Sequence, residues 1–363
     1  MKICGFETRI VAIPRERGPL SDGPGQAAST FVVLRMQTDE GIEGIGYAGF
    51  TAQIMKESLK AAVDALAQEA IGDDPMKVEA INAKLLALGG SGAPVDMVRR
   101  AVAAIDVALW DIRGKAMGQP LYKVLGGYKD RIPTYYSGTL WRPHKLEDIG
   151  PAAKKHVAEG FRAIKLRLGG EPSADRDIER VRVLREAVGP NVDIMIDVNQ
   201  GWTVNQAVSI GRRLEELGVY WLEDPVPHHD LAGQARVADS LDVPVVSGEY
   251  HYGIAPFRYL LEQRSLRVVM IDLLRVGGIS PYMKVAHLAE AFNMPVVSHL
   301  APEILCHAMA AIPNAITTEW MPWSLPLFKD VPRVENGEIV LPQKPGLGLE
   351  FDEETLARYR VTA

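Results

Sequence analysis

Three apolar segments in succession end on a carboxylate, one β/α repeat apart, and that spacing leaves few folds open. Ile194-Met-Ile-Asp197, Tyr220-Trp-Leu-Glu223 and Val245-Val-Ser-Gly-Glu249 each close an apolar run with an acid, and the steps 197 to 223 and 223 to 249 are both 26 residues. The same texture runs through the rest of the chain from Ile132. Strand patterns at Ile132–Tyr136, Ala163–Leu168, Val192–Asp197, Val219–Glu223, Pro244–Ser247, Val268–Asp272, Pro295–Ser298 and Ile316–Glu319 alternate with amphipathic helical patterns. The clearest helices are Pro151–Glu159, Ala174–Val188, Thr203–Leu217, Leu231–Leu241, Ile254–Gln263 and Ser280–Phe292. Eight strand-then-helix units predict an α/β fold, a parallel barrel closed on itself. A doubly wound open sheet is the runner-up, but it does not require a count of eight.

In such a barrel, consecutive strand ends lie side by side on the face where active sites form. Asp197, Glu223 and Glu249 then converge, and like charges brought together need a cation. An all-oxygen set suits a hard divalent ion, so Mg²⁺ is expected rather than zinc, which prefers His and Cys. Helix capping explains one acid after a strand. It explains three in successive units less well.

Other strand ends carry chemistry in the same register. Lys165 and Arg167 flank Leu166 and point to one side, the barrel interior, where a cation is costly unless it meets an anion. Asp272 and His299 end the sixth and seventh strands, 27 residues apart. A carboxylate beside an imidazole orients it and raises its basicity, which suits a general base. Glu319 ends the eighth strand and Ser137 the first.

The region before the barrel reads differently. Thr30–Met36 and Ile42–Tyr47 form a hairpin pattern, Pro14–Ser29 reads as a loop, and Met55–Gln68, Met76–Leu88 and Val95–Met117 are helical. Gly44, Gly46 and Gly49 spell G-x-G-x-x-G, but on the second arm of a hairpin rather than at the first turn of a βαβ unit, so dinucleotide binding is not expected. Phosphate-loop, zinc-protease and serine-hydrolase signatures are missing.

Composition narrows the class further. A net charge of −6 over 363 residues argues against a nucleic-acid binder. Two cysteines, Cys4 and Cys306, provide no disulfide framework. With no apolar run of membrane length and no leader pattern in Met1–Thr8, a cytoplasmic protein with no membrane partner is expected.

These residues together resemble the enolase superfamily, specifically its mandelate racemase-like branch, over essentially the whole chain. The segment Ala104-Ile-Asp106-Val-Ala-Leu-Trp110-Asp111-Ile-Arg-Gly114-Lys115, then Gly118-Gln-Pro120 and Leu125-Gly126-Gly127, is similar to that family's approach to its barrel. Gly277-Gly278-Ile279-Ser280 after Asp272 and Arg275 is similar too. The resemblance implies an N-terminal α+β capping domain (1–127), a modified (β/α) TIM-type barrel (128–325) and a C-terminal segment (326–363) packed back on the cap. It implies Asp197, Glu223 and Glu249 as Mg²⁺ ligands and Asp272–His299 as the catalytic dyad. Lys165 and Ser137 match residues that hold the substrate carboxylate. Glu319 matches an acid that hydrogen-bonds the developing enediolate, and Asn199 matches an Asn near metal and substrate. A homo-oligomer is usual in this branch.

Arg167 departs from the family's Lys-x-Lys. An arginine is a poor general base but can clamp a substrate oxygen, which disfavours two-base racemisation. The expected reaction is Mg²⁺-dependent removal of the proton α to a carboxylate of a small sugar acid, then loss of water to a 2-keto-3-deoxy acid, with His299 as base and acid. The alternatives are epimerisation or cycloisomerisation through the same intermediate, or a barrel that only binds acids. Arg15 and Arg17, in the Pro14–Ser29 loop, are candidates for a distal carboxylate of the substrate, against a reading as solvated loop arginines.

Overall fold

The computed structural model describes residues 1–15, 28–50 and 52–361. Its N-terminal layer is an antiparallel sheet of β1 (Ile3–Pro14), β2 (Ala28–Thr38) and β3 (Glu43–Gly49), in that order. Against it pack α1 (Lys56–Glu69), α2 (Val78–Gly89) and α3 (Val95–Ala116), followed by a short turn of helix, α4 (Leu121–Val124). The alanine-rich α3 is buried along much of its length. It lies so close to β3 that a Cβ on Gly44 or Gly46 would sit 2.1 Å from the Ala108 or Ala104 carbonyl oxygen. Those glycines admit a helix rather than a pyrophosphate.

Eight parallel strands follow: β4 (Arg131–Tyr136), β5 (Ala163–Arg167), β6 (Asp193–Asp197), β7 (Trp221–Glu223), β8 (Val245–Ser247), β9 (Val268–Asp272), β10 (Val296–His299) and β11 (Ala315–Trp320). Each pairs with the next, and β11 pairs with β4, which closes the barrel. The helices between them are α5 (Leu146–Ala158), α6 (Ala174–Val188), α7 (Val204–Glu215), α8 (Leu231–Ser240), α9 (Ala255–Glu262), the short α10 (Leu273–Val276), α11 (Ile279–Ala291) and α12 (Pro302–Ala311). Helix α5 begins at Leu146, five residues before the expected Pro151, and carries that proline inside it. Helix α12 was not expected. All ten of its residues are buried, so it has no polar face and no amphipathic period to read.

The C-terminal segment touches both layers. Strands β12 (Arg333–Glu335) and β13 (Glu338–Val340) form a hairpin, and β13 extends the barrel sheet antiparallel to β4. Beyond it, Leu347 N–H donates to Asp111 in α3 at 2.8 Å, and after the last helix, α13 (Glu353–Arg358), Val361 N–H donates to the Ile10 carbonyl at 2.9 Å.

Helix α3 also joins the cap to the barrel. The residue before α11, Gly278, has no side chain to cap it, and Asp106 supplies the cap instead: its Oδ2 accepts from Ser280 N–H at 3.0 Å, and its Oδ1 from Asn82 Nδ2 at 3.0 Å. Trp110 Nε1 donates to Ser280 Oγ at 2.9 Å. Among the described residues, no helix is long and apolar enough to cross a membrane.

Candidate active site

Barrel register brings the strand-end residues together. Arg167 pairs with Asp197, Asp197 with Glu223, and Asp272 with His299 as cross-strand neighbours. Glu249 follows Gly248, whose φ of 134° and 2.3 Å Cβ clearance from the Met270 carbonyl leave room for no side chain. The backbone turns there and delivers Glu249 to the mouth of the barrel.

The site is a dense array of opposed charges. Lys165 is fully buried, with Nζ 2.6 Å from Glu223 Oε1, 2.8 Å from Glu319 Oε1 and 3.7 Å from Asp197 Oδ2. Burial alone would discharge the ammonium. The charges of Glu223 and Glu319 outweigh it and hold Lys165 above its ordinary value. Arg167 places Nε 3.3 Å from Asp197, donates Nη1–H to the Ser137 carbonyl at 2.8 Å and lies over the Trp141 ring. Asp197 also accepts the Asn199 N–H at 2.8 Å and its Nδ2 at 3.0 Å.

On the other side, His299 Nδ1 lies 2.7 Å from Asp272 Oδ2. The second oxygen of Asp272 accepts Leu274 N–H at 2.9 Å and Arg275 N–H at 2.7 Å, so the carboxylate cannot swing away. Burial works against this charge, but the His299 hydrogen bond and Arg275 hold Asp272 down at about 2. Burial likewise works against the imidazolium, and the facing Glu249, Asp272 and Glu319 raise His299 above its usual value. Glu319 accepts from Ser137 Oγ at 2.6 Å and Leu300 N–H at 2.7 Å. Burial works against its charge, but the charges of Lys165, His299 and Arg167 outweigh burial and keep it well below the usual carboxylate range.

A fourth carboxylate, Asp224, stands beside the expected trio. Atoms of Glu223, Asp224 and Glu249 lie within 4.8 Å of one another, whereas Asp197 is engaged by Arg167 and Asn199. Asp224 was missed because strand alternation points it away from Glu223. Its φ of 41° breaks that alternation, and Ser247 Oγ donates to it at 2.5 Å. Burial first, then neighbouring acids, raise both Asp224 and Glu223 well above the usual carboxylate value.

A cavity of about 350 Å³ opens above this array, bordered by Arg167, Asp197, Asn199, Glu249, Arg275 and His299 from the barrel and by Arg15, Phe50 and Gln53 from the cap. Lys165, Glu319 and Ser137 lie beneath it, each with no more than 1% of its surface exposed. Arg17 lies outside the described residues.

Comparison with known proteins identifies the family and the fold. Residues 7–126 match the mandelate racemase / muconate lactonizing enzyme N-terminal domain, and residues 148–355 match the enolase C-terminal domain-like model. The chain is 30% identical to an L-talarate/galactarate dehydratase of Salmonella typhimurium over 89% of its own length and 81% of the relative's. It is 32% identical to a 3,6-anhydro-alpha-L-galactonate cycloisomerase of Streptomyces coelicolor over 91% of each. The crystal structure of L-talarate dehydratase from Polaromonas sp., complexed with Mg and L-glucarate, superposes with a TM-score of 0.91 at 29% identity, covering 99% of this chain and 98% of that one. These matches, over a closed barrel under an antiparallel cap, place the chain in the mandelate racemase / muconate lactonizing enzyme family of the enolase superfamily.

Proposed function

We propose that the protein is a Mg²⁺-dependent dehydratase of a small sugar acid. The dehydratases among its relatives support the reaction class. The observation that carries the reading is the single base: His299 is backed by Asp272, whereas the pocket cation on β5 is a guanidinium. A guanidinium stays protonated at working pH and cannot take a carbon-bound proton.

The acids present fit a hard cation. Glu249 Oε2 and Asp224 Oδ2 are buried without a hydrogen-bond partner, and the His299 Nε2 lying 3.0 Å from Glu249 Oε2 is not aligned to donate to it. Buried, unpaired, all-oxygen donors are a ligand set for a hard divalent ion. Glu223 and Glu249, with Asp197 and Asp224 beside them, would hold Mg²⁺. When bound, the ion would neutralise charge on the substrate carboxylate and so acidify the α-proton.

His299 Nε2 takes the α-proton while Asp272 holds Nδ1–H, and the resulting imidazolium returns a proton to the departing β-hydroxyl. Arg167 and Asn199, both on the cavity wall, orient the substrate carboxylate and hydroxyl. Lys165 and Ser137 act from beneath, supplying positive charge and a hydroxyl to the carboxylate side, with Glu319 fixing both. Arg15 faces the remote end of the substrate. The same reading carries a homo-oligomeric, cytoplasmic enzyme.

Incubation of mono- and diacid sugars with protein and Mg²⁺ in D₂O tests the proposal. A 2-keto-3-deoxy acid is the expected product. Deuterated, epimerised substrate or a ring-opened or ring-closed isomer without keto acid would replace dehydration by epimerisation or by cycloisomerisation, the reaction named for the Streptomyces relative. No proton exchange with any acid would leave only a binding role.

A further inference from the structure

The arginine after Trp141 stands outside the cavity lining, yet it reaches both strands that carry Arg167 and Asp197. Arg142 Nε–H donates to the Leu168 carbonyl at 2.6 Å, and Nη2–H donates to the Val198 carbonyl at 2.5 Å. Leu168 directly follows Arg167, the last residue of β5, and Val198 directly follows Asp197, the last residue of β6. One planar guanidinium thus spans two neighbouring strand ends just beyond the site.

These carbonyls take an outside donor because the sheet ladder stops there. Leu168 N–H donates to the Asp197 carbonyl at 2.9 Å, so a continuing parallel ladder would give the Leu168 carbonyl the Asn199 N–H. That N–H turns instead to Asp197 Oδ1, at 2.8 Å, and holds the carboxylate. On the other side, Val198 N–H donates to the Glu223 carbonyl at 3.1 Å. The matching donor to the Val198 carbonyl would be residue 225, a proline with no N–H. Gly201 N–H meets that carbonyl at 3.1 Å across the turn. The turn itself runs through Asn199 and Gln200 at φ of 44° and 66°, left-handed values that persist only where the surroundings hold them.

Arg142 is itself held in place. Its stem lies over Gly170, where a Cβ would come within 2.8 Å of Arg142 Cδ. From α6, Arg180 donates to the Trp141 carbonyl at 3.1 Å and to the His144 carbonyl at 2.6 Å, which fixes the loop on both sides of Arg142. The same loop lays the Trp141 ring on Arg167 and accepts Arg167 N–H at the Leu140 carbonyl at 2.9 Å.

A brace for the fold alone is the competing reading. Against it stands the exchange of donors: Arg142 replaces the ladder N–H that has been given to a site carboxylate. We propose that Arg142 is a positioning residue. By answering the Leu168 and Val198 carbonyls it leaves Asn199 N–H free to orient Asp197, and it keeps Arg167 and Asp197 in their paired register. The proposal rests on the Mg²⁺-dependent reading above and adds to it a residue that touches neither metal nor substrate.

Mg²⁺ calorimetry and sugar-acid kinetics on Arg142→Met and Arg142→Lys test it. Losing a contact that orients a metal ligand typically costs ~10–100-fold, and Arg142→Met should weaken Mg²⁺ binding on that scale. At saturating Mg²⁺ it should raise KM through Arg167 more than it lowers kcat, because the His299–Asp272 pair stands apart from β5 and β6. Lysine keeps the charge but not the fork, so Arg142→Lys should recover part of both losses. In an Arg167→Met background, Arg142→Met should raise KM little further, since the two changes act through one group. Wild-type Mg²⁺ affinity and KM in a folded Arg142→Met protein of lowered Tm would overturn the proposal and leave a brace. Should the methionine variant not fold, the same result in Arg142→Lys would overturn it equally. A KM effect undiminished in the Arg167→Met background would also overturn it. Absence of Mg²⁺ binding by the wild-type protein would overturn both this proposal and the metal-dependent reading beneath it.

Discussion

Replacing Lys165 by methionine removes one buried cation from among three carboxylates. At an effective dielectric of ~20, each of the two closest oxygens, at 2.6 and 2.8 Å, attracts the ammonium by roughly 6 kcal/mol. Desolvation of the ammonium offsets much of that, and breaking a buried pair by deleting one partner typically costs about 3–5 kcal/mol. In a chain of this size such a loss lowers Tm by something on the order of 5–10 °C. The size of the defect should depend on pH. Without Lys165, burial lifts Glu319 above its unfolded value and lifts Glu223 further. A carboxyl raised in this way contributes stability that is complete below the unfolded pKa and is lost as pH rises through the folded one. The deficit of Lys165→Met relative to wild type should therefore be large at pH 8 and shrink toward pH 5. Thermal unfolding of both proteins across that range, without added metal, measures it, with kcat/KM as the parallel readout. A variant as stable as wild type at pH 8, or a deficit unchanged at pH 5, would show that Lys165 is not the counter-charge of this cluster.

Other perturbations separate the remaining roles. His299→Asn should abolish both dehydration and exchange of the α-proton with D₂O, a loss of at least ~10²–10⁴-fold. Arg167→Met should instead weaken binding while leaving measurable exchange, and the reverse pattern would assign the base to the Arg167 side. Asp197→Asn, Glu223→Gln and Glu249→Gln should each weaken Mg²⁺ binding in calorimetry and abolish turnover without unfolding; near-normal affinity in all three would return these acids to a capping role. Asp224→Asn should bind Mg²⁺ more weakly yet unfold at a higher temperature than wild type when metal-free, because it relieves a buried acidic cluster; lower metal-free stability would contradict that. Burial pushes the Asp106 carboxyl up to about 6 against the hydrogen bonds it accepts. Its contribution to stability should be complete below pH ~4 and lost as pH rises through about 6, at up to ~1.4 kcal/mol per unit, and Asp106→Asn should remove that slope from the unfolding free energy.

Much of this architecture was legible because a barrel strand is short, apolar and ends where chemistry begins. Asp197, Glu223, Asp272 and His299 could be aligned by interval alone, and the strand register pairs them as neighbours. What escaped did so for definable reasons. Asp224 depends on a left-handed backbone residue that no periodicity announces. Helix α12 has no exposed face to give it a period. Trp141 and Trp323 lie 182 residues apart, and nothing local in either segment indicates that they stack. Glu319 could be placed at a strand end, but its electrostatic surroundings depend on Lys165, His299 and Arg167, which converge only in the folded chain.

The cap on α11 has a consequence for the order in which the molecule can form. Asp106 and Ser280 are separated by 174 residues, so the N-terminus of α11 is complete only when α3 is already in place. During synthesis at ~5–20 residues per second, α3 leaves the ribosome roughly 10–35 s before the helix it caps. Vectorial synthesis therefore presents the late barrel strands to a preformed partner. A circular permutant that makes residues 1–127 last would reverse this order. Its barrel would wait during synthesis with the α11 amides exposed, and that interval would become the aggregation-prone stage.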